Sequence, residues 1–275
     1  METEKETTEY KDVESQIIDS PEGEFRIPEG ADIDVSVSET PDKKLRITET
    51  VTVDEHEYLE CEKRWVFLLL MMVGGFFGGF TYSIRGGVFC NAQTANIVLL
   101  GLSLGRGQFA HAAYYLIPIS AYLLGSFVSE HIALPIKRLR LIRWDTLFIL
   151  IEMLAVVVLA LIPESAPYQI SQVMINFICS MQYNTFRQAQ GIPMATTFCT
   201  NHIRQVGIAA SKLMRHHGGK AYAERMFFHL KMLGLFVLGV ICAVLLCMRF
   251  AGRAMFFVLL PLAVVLADLM YADLK

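Results

Sequence analysis

The sequence contains no Cys-x-x-Cys pair, no His-Glu-x-x-His, no Walker-type glycine-rich loop and no dinucleotide fingerprint. Zinc hydrolases, nucleotide hydrolases and Rossmann dehydrogenases need their ligands or phosphate-cradling glycines at fixed short spacing, so these absences argue against an enzyme of those classes. Six cysteines (Cys61, Cys90, Cys179, Cys199, Cys242 and Cys247) are scattered, most in apolar surroundings where a thiol behaves as a small hydrophobe. No disulfide framework, metal site or cofactor is expected from them. The first 60 residues lack any apolar run longer than three, and no apolar segment backs the opening METEKETTEYKDVESQ. A cleavable signal peptide is therefore not expected.

Apolar residues are in excess. They make up 54% of the chain, against about 45–50% in soluble domains. From Trp65 onward the apolar blocks repeatedly reach the ~20 residues that cross a bilayer. The expected class is an all-α polytopic helical membrane protein, with an acidic tail over 1–62 and a membrane domain over 63–275. Positions 1–60 hold 19 Asp and Glu against 6 Lys and Arg, in a chain of net charge −3. That places about −13 on the tail and about +10 on the remainder. A basic membrane domain suits contact with anionic lipid on the cytoplasmic side, and nothing asks for nucleic acid as a partner. The tail is expected to be mostly disordered and solvated, since it has little apolar surface to offset the entropy of ordering. Two alternating patches, 31–38 and 45–54, nevertheless have strand periodicity and could pair as a hairpin.

Six spanning helices are expected at 65–84, 109–133, 143–162, 168–186, 226–248 and 254–271. Two shorter, more polar helices remain, at 90–104 and 197–214. Sliding the chain along itself by 106 positions sets TANIVLLG (Thr94–Gly101) on TNHIRQVG (Thr200–Gly207), matching Thr94 with Thr200, Ile97 with Ile203 and Gly101 with Gly207. The halves 65–163 and 168–271 then each read helix, short polar segment, helix, helix, the order of an internal duplication. Basic loops belong in the cytoplasm. The stretches Lys137–Arg143 and Lys212–Arg225, with Lys63 and Arg64, all fall there only if neither short segment crosses. The expectation is six spans, two re-entrant half-helices, an inverted repeat and two cytoplasmic termini in the cell (plasma) membrane.

A half-helix that begins inside the bilayer leaves its first N–H groups without partners. Asn91, Gln93, Thr94 and Asn96 in the first segment are suited to cap them or to line a watery pocket, as are Thr196, Thr197, Thr200 and Asn201 in the second. The alternative is two ordinary amphipathic helices at the membrane surface or in a bundle interface. With Gln182 and Asn184 at the approach to the second segment, Asn91, Gln93, Thr94, Asn96, Thr197, Thr200 and Asn201 form the candidate substrate-binding set for a small solute. Glu152 lies in LFILIEMLAVVVLALI, where a carboxyl costs a few kcal/mol. It is either a protonatable functional group or the structural partner of an arginine, with Arg85, Arg187 and Arg204 as the choices. Gly74, Gly75, Gly78 and Gly79 form two offset small-xxx-small pairs, for packing within the chain or, alternatively, in a homodimer.

At GGFFGGFTYSIRGGVFCNAQTANIVLLGLSLGRG, and again at MQYNT followed by TTFCTNHIRQVG, the chain resembles the YoaK-like family of multi-pass membrane proteins (domain of unknown function 1275). The resemblance runs from about Trp65 to Leu274 and leaves out the acidic tail. The family pattern of Gly-x-x-Asp-Ala in the first helix has Gly78 at the acidic position here, so the acid that a shared proton-coupled mechanism would use is missing there. Thr-Gly-Asn reads Thr94-Ala95-Asn96, and MQYN (Met181–Asn184) looks like the family's Gln-Asn pair with Tyr183 inserted. The family has no settled activity, so the resemblance implies membership and not a substrate. The leading expectation is a small-solute transporter or channel. The alternative is a non-transporting membrane protein that binds a partner or displays the acidic tail.

Overall fold

The computed structural model describes residues 17–20, 23–26, 32–39, 45–52, 59–139, 142–190, 192–215 and 220–274. It divides into two units, Met1–Glu57 and Tyr58–Lys275. In the first, β1 (Ile17–Ser20) pairs antiparallel with β2 (Gly23–Arg26), and β3 (Asp32–Glu39) with β4 (Leu45–Thr52). The second ribbon joins the two alternating patches, Asp32 opposite Thr52 and Glu39 opposite Leu45. This is the hairpin that the alternation of the two patches allows. Period-2 alternation lets backbone groups pair across a ribbon without a large apolar core.

The second unit is all-α apart from one two-residue pairing. Its elements are α1 (Arg64–Ile84), α2 (Gln93–Gly105), α3 (Phe109–Leu139), α4 (Trp144–Leu161) and α5 (Tyr168–Thr185). A small hairpin of β5 (Gln188–Ala189) and β6 (Ile192–Pro193) follows, then α6 (Thr200–Arg215) and α7 (Lys220–Phe250). A 3-10 stretch, Ala251–Val258, leads into α8 (Leu259–Asp273).

Among the described residues, four helical segments are long and apolar enough to cross a membrane: Arg64–Ile84, Phe109–Ala133, Trp144–Leu161 and Tyr222–Asp273. By that measure the expected count of six is not met, for two physical reasons. Helix α5 carries Gln172, Asn176, Gln182 and Asn184, which dilute its apolar character. The last two expected helices run on through the 3-10 stretch as one segment of 52 residues.

That segment is not straight. Ala251 has φ 49°, a left-handed value that a non-glycine residue adopts only where the chain must turn. The Gly252 N–H donates to Glu164 Oε1 at 2.7 Å, beside Arg85 at the end of α1. At its other end Asp273 accepts from the Arg143 N–H (3.3 Å), and Asp268 lies 4.0 Å from Lys63 Nζ. The chain therefore folds back at Ala251, and α8 returns alongside α4 and α1 to the end where Lys63, Arg143 and Arg225 collect. We call this the basic end.

Helix α1 is the axis of the unit. One face holds Phe67, which meets Phe186 edge to face at 6.3 Å, and Phe186 meets Phe148 at 6.2 Å. Another face is glycine. A Cβ on Gly75 would lie 2.1 Å from the Phe236 carbonyl oxygen, and one on Gly239 of α7 would lie 2.1 Å from that of Met72. Helices α1 and α7 thus touch backbone to backbone, and α3 meets α5 in the same way. A Cβ on Gly125 would lie 2.4 Å from the Phe177 carbonyl oxygen. Close approach of this kind gives van der Waals contact where lipid removes the hydrophobic drive between helices. All four glycines of the small-residue pattern are occupied from within the chain: Gly74 by Thr196, Gly75 by Phe236, Gly78 by Asn91 and Gly79 by Ala243. The outward surface carries Leu123, Phe127, Leu154, Leu161, Leu245 and Met248, a covering that fits hydrocarbon and not water.

Candidate functional site

Two linkers meet at the middle of α1. Gly74 stands ten residues from either end of that helix, about 15 Å of rise each way. Asn91, in the linker 85–92, donates its Nδ2 to the Gly74 carbonyl at 3.0 Å and lies against Gly78. Thr196 and Thr197, in the linker 186–199, touch the same glycine. A Cβ there would come 2.7 Å from Thr196 O and 3.3 Å from Thr197 Cα. Both threonines are fully buried.

The linkers reach that point from opposite ends. The first leaves α1 at Arg85, whose buried guanidinium bonds Glu164 (3.2 Å) and the Ile162 carbonyl (3.3 Å) and lies over the Phe80 ring. It turns through Gly86 and Gly87, with φ of 84° and 68°. Helix α2 then runs back to Gly107 and the start of α3. There Tyr114 meets Gln172 of α5, and Gln172 Nε2 also donates to the Arg85 carbonyl at 2.7 Å. The second linker leaves α5 at the basic end. Gln188 Nε2 donates to Glu62 at 2.7 Å, and the Gln190 N–H donates to the Glu62 carbonyl at 3.0 Å. Helix α6 returns to that end, where its Gln205 accepts from Arg225 of α7 at 2.9 Å.

One side chain closes each loop. Asn96 Nδ2 donates to the carbonyl of Phe89, seven residues back, at 2.7 Å, while its Oδ1 accepts from the Phe89 N–H. His202 Nε2 bonds the carbonyl of Ala195, also seven residues back, at 2.8 Å. Positions 96 and 202 stand 106 apart, the repeat offset. Sequence reasoning left His202 off the site because it compared residue types. The signal was the alignment itself, which sets His202 opposite Asn96.

Beyond the closing residue the two halves differ. Asn96 Nδ2 also donates to Gln93 Oε1, and Gln93 Nε2 donates to Asn176 Oδ1 of α5 at 2.7 Å. Asn176 Nδ2 continues to the Gln172 carbonyl at 2.8 Å. This is a chain of neutral amides. In the second half His202 Nδ1 faces His229 Nδ1 of α7 at 2.8 Å, and both rings are buried. A carbonyl only accepts, so His202 carries its proton on Nε2 and accepts on Nδ1 from His229 Nδ1–H. His229 Nε2 is left with a lone pair and no partner among the described residues.

Of the residues expected at the site, Asn91, Gln93, Asn96 and Thr197 converge as described. Gln182 is fully buried and donates to the Leu70 carbonyl one turn below Gly74, leaving its Oε1 unpartnered. Thr94 and Thr200 point outward. The expected side-chain capping of α2 is absent: its N-cap is Ala92, and Asn91 is spent on Gly74. Asn184 and Arg187 lie at the surface of the basic end and share Glu130. Arg204 is exposed and reaches only Asn201, at 3.4 Å. None of the three arginines offered as partners meets Glu152. The stretch Gly101-Leu102-Ser103-Leu104-Gly105 has Gly-x-Ser-x-Gly spacing but lies inside α2, with no strand before it. Ser103 Oγ donates to the Leu99 carbonyl at 2.9 Å, unlike the strand-to-helix elbow that exposes a nucleophile.

The chain belongs to the family described as "Protein of unknown function (DUF1275)", which it matches over residues 66–268. No curated protein and no solved structure matches it.

Proposed function

We propose that the chain is a multi-pass protein of the cell membrane that lets a small polar solute pass between two half-helices meeting at Gly74, without catalysing a reaction. On this reading it crosses six times, α5 is the fourth crossing, and Ala251 divides the fifth from the sixth. The basic end, with both termini, lies in the cytoplasm, in keeping with the positive-inside rule. The observation that carries the reading is the matched closure, Asn96 to Phe89 O and His202 to Ala195 O, in loops that come to one glycine from opposite ends. The helix pairs support the same reading. Exchanging the halves turns the glycine-mediated contact of α1 with α7 into that of α5 with α3, and α1 and α5 run antiparallel, as an inverted repeat requires. Half-helix N-termini bring unsatisfied N–H groups and positive dipole ends to mid-depth. Around them stand Asn91, the fully buried Thr196 hydroxyl and the Gln182 Oε1, the last two without partners among the described residues. Such groups exchange hydrogen bonds with a polar solute at little electrostatic cost.

The test is uptake by lipid vesicles holding the purified chain, against a radiolabelled panel of sugars, amino acids, nucleosides and inorganic ions. Uptake of at least one panel member, reduced by Asn91→Ala, is the expected result. Empty vesicles across the whole panel would sink the reading.

The tail ribbons favour a second reading. A two-stranded ribbon has unpaired edges that can accept a further strand from a partner. Co-purification of a partner that is lost on deleting 1–60, without any solute flux, would select it.

A further inference from the structure

Glu152 occupies the middle of α4, is wholly buried, and has no hydrogen-bond partner among the described residues for either carboxyl oxygen. Arg85 is bound to Glu164, Arg187 to Glu130 and Arg204 to Asn201. The titratable group that acts on it from α5 is Cys179, and Cys90 of the first linker belongs to the same buried cluster. Tyr122 of α3 stands behind these thiols. On α8 the acidic residues Asp268 and Asp273 are at the basic end with Lys63 and Arg143, and Arg253 of the 3-10 stretch is exposed. Among the described residues, no cation therefore neutralises this carboxyl. An unpaired buried carboxylate carries a desolvation penalty of several kcal/mol or more, and intramembrane acids without a partner mark proton or ion pathways.

We propose that Glu152 is a proton-binding site, and that its proton is exchanged during passage of the solute. The second clause rests on the transport reading above; the first does not. Glu152 holds the proton as a neutral carboxylic acid in the closed state. It gives the proton to water when mid-depth opens to one side, leaving a carboxylate and a hydronium ion. A route to the solute site exists: Glu152 acts electrostatically on Cys179, Cys179 and Cys90 belong to one buried cluster, and the Cys90 carbonyl accepts from Gln93 Nε2 at 3.3 Å. Asn91 is the next residue. Ionisation at Glu152 therefore acts on the first linker one residue from the group that docks on Gly74.

The experiment uses the full chain in phosphatidylcholine vesicles and two readouts. The first is infrared difference spectroscopy on wild type and Glu152→Gln, an exchange that keeps size and shape. A neutral-carboxyl band present at pH 7 and missing from the variant supports the site, as does carbodiimide modification of Glu152 that fades as pH rises. A spectrum without that band, or a band untouched by the substitution, overturns it. Loss of the band on adding sodium at constant pH also overturns it, because the oxygens would then serve a metal cation. The second readout is an internal pH dye during uptake of the same solute panel. Proton flux that accompanies uptake, falls at least tenfold in Glu152→Gln and recovers in Glu152→Asp supports coupling. Uptake without proton movement in wild type overturns the coupling and leaves passage standing. The band without any uptake overturns passage and leaves the bound proton standing.

Discussion

The first linker with α2 and the second linker with α6 perform the same geometric task with different chemistry. Each reaches Gly74 and is closed by a side chain that grips a carbonyl seven residues back. In the first the grip is an amide, continued by amides from Gln93 to Asn176. In the second it is an imidazole, continued by another imidazole on α7. Amides do not titrate between pH 4 and 10, and imidazole does. The two loops therefore close in the same way, and only the second closes through side chains that can respond to pH.

The largest effects should come at the glycines, and they separate the loops. Gly74→Ala drives a Cβ to 2.7 Å from a backbone carbonyl of the second linker, whereas Gly78→Ala meets the Asn91 side chain at 3.2 Å, which can swing aside. Overpacking of the first kind costs about 1–3 kcal/mol. Gly74→Ala should lower the melting temperature in detergent clearly more than Gly78→Ala. Equal shifts would mean that the second linker is not seated on α1.

The closing residues come next. Asn96→Ala and His202→Ala each strand a carbonyl, part-buried at Phe89 and buried at Ala195, at up to about 1–3 kcal/mol apiece. The expected result is faster hydrogen exchange confined to 85–105 in the first variant and to 192–215 in the second. Exchange that spreads evenly through both would break the division into two units of closure.

Acid should distinguish the loops further. A proton taken up at His202 Nδ1 removes the acceptor for the His229 Nδ1–H, whereas the amides of the first loop take up none. Hydrogen exchange in 192–215 should quicken as pH is lowered from 7 to 5, after correction for intrinsic rates, while 85–105 stays level. A parallel response in both would contradict the assignment of the shared proton. The smallest effect belongs to the surface. Asn184→Ala and Arg187→Ala disturb an exposed ion pair with Glu130 and should change stability by under about 1 kcal/mol.

Much of this was legible in the sequence, and the failures follow a pattern. Helix positions followed the apolar runs: α2 was expected at 90–104 and is Gln93–Gly105, and α6 was expected at 197–214 and is Thr200–Arg215. Apolar length and turn residues are local properties that composition displays directly. The direction of a side chain is not local. Thr94 and Thr200 match in the repeat yet face outward, while Asn96 and His202 differ in type and share one role. Identity pointed to the first pair, and only the shared register pointed to the second. Helix α5 was read as a span although its amides take it below the apolar threshold. The Asn176 Oδ1 and the Nε2 groups of Gln172 and Gln182 bond to α2, α3 and α1, contacts that no single segment announces. His229 gave no sequence signal at all, because its partner lies 27 residues away on another helix.

The central claim is that each linker returns to the end it left. It is tested most directly by single cysteines at Ser83, Gln108, Gln188 and Lys220, all exposed, in a chain stripped of its six native cysteines and labelled with an impermeant maleimide from either face. The account predicts that Ser83 and Gln108 react from one side and Gln188 and Lys220 from the other. Reaction of Ser83 and Gln108 from opposite sides would make α2 an ordinary crossing and contradict it.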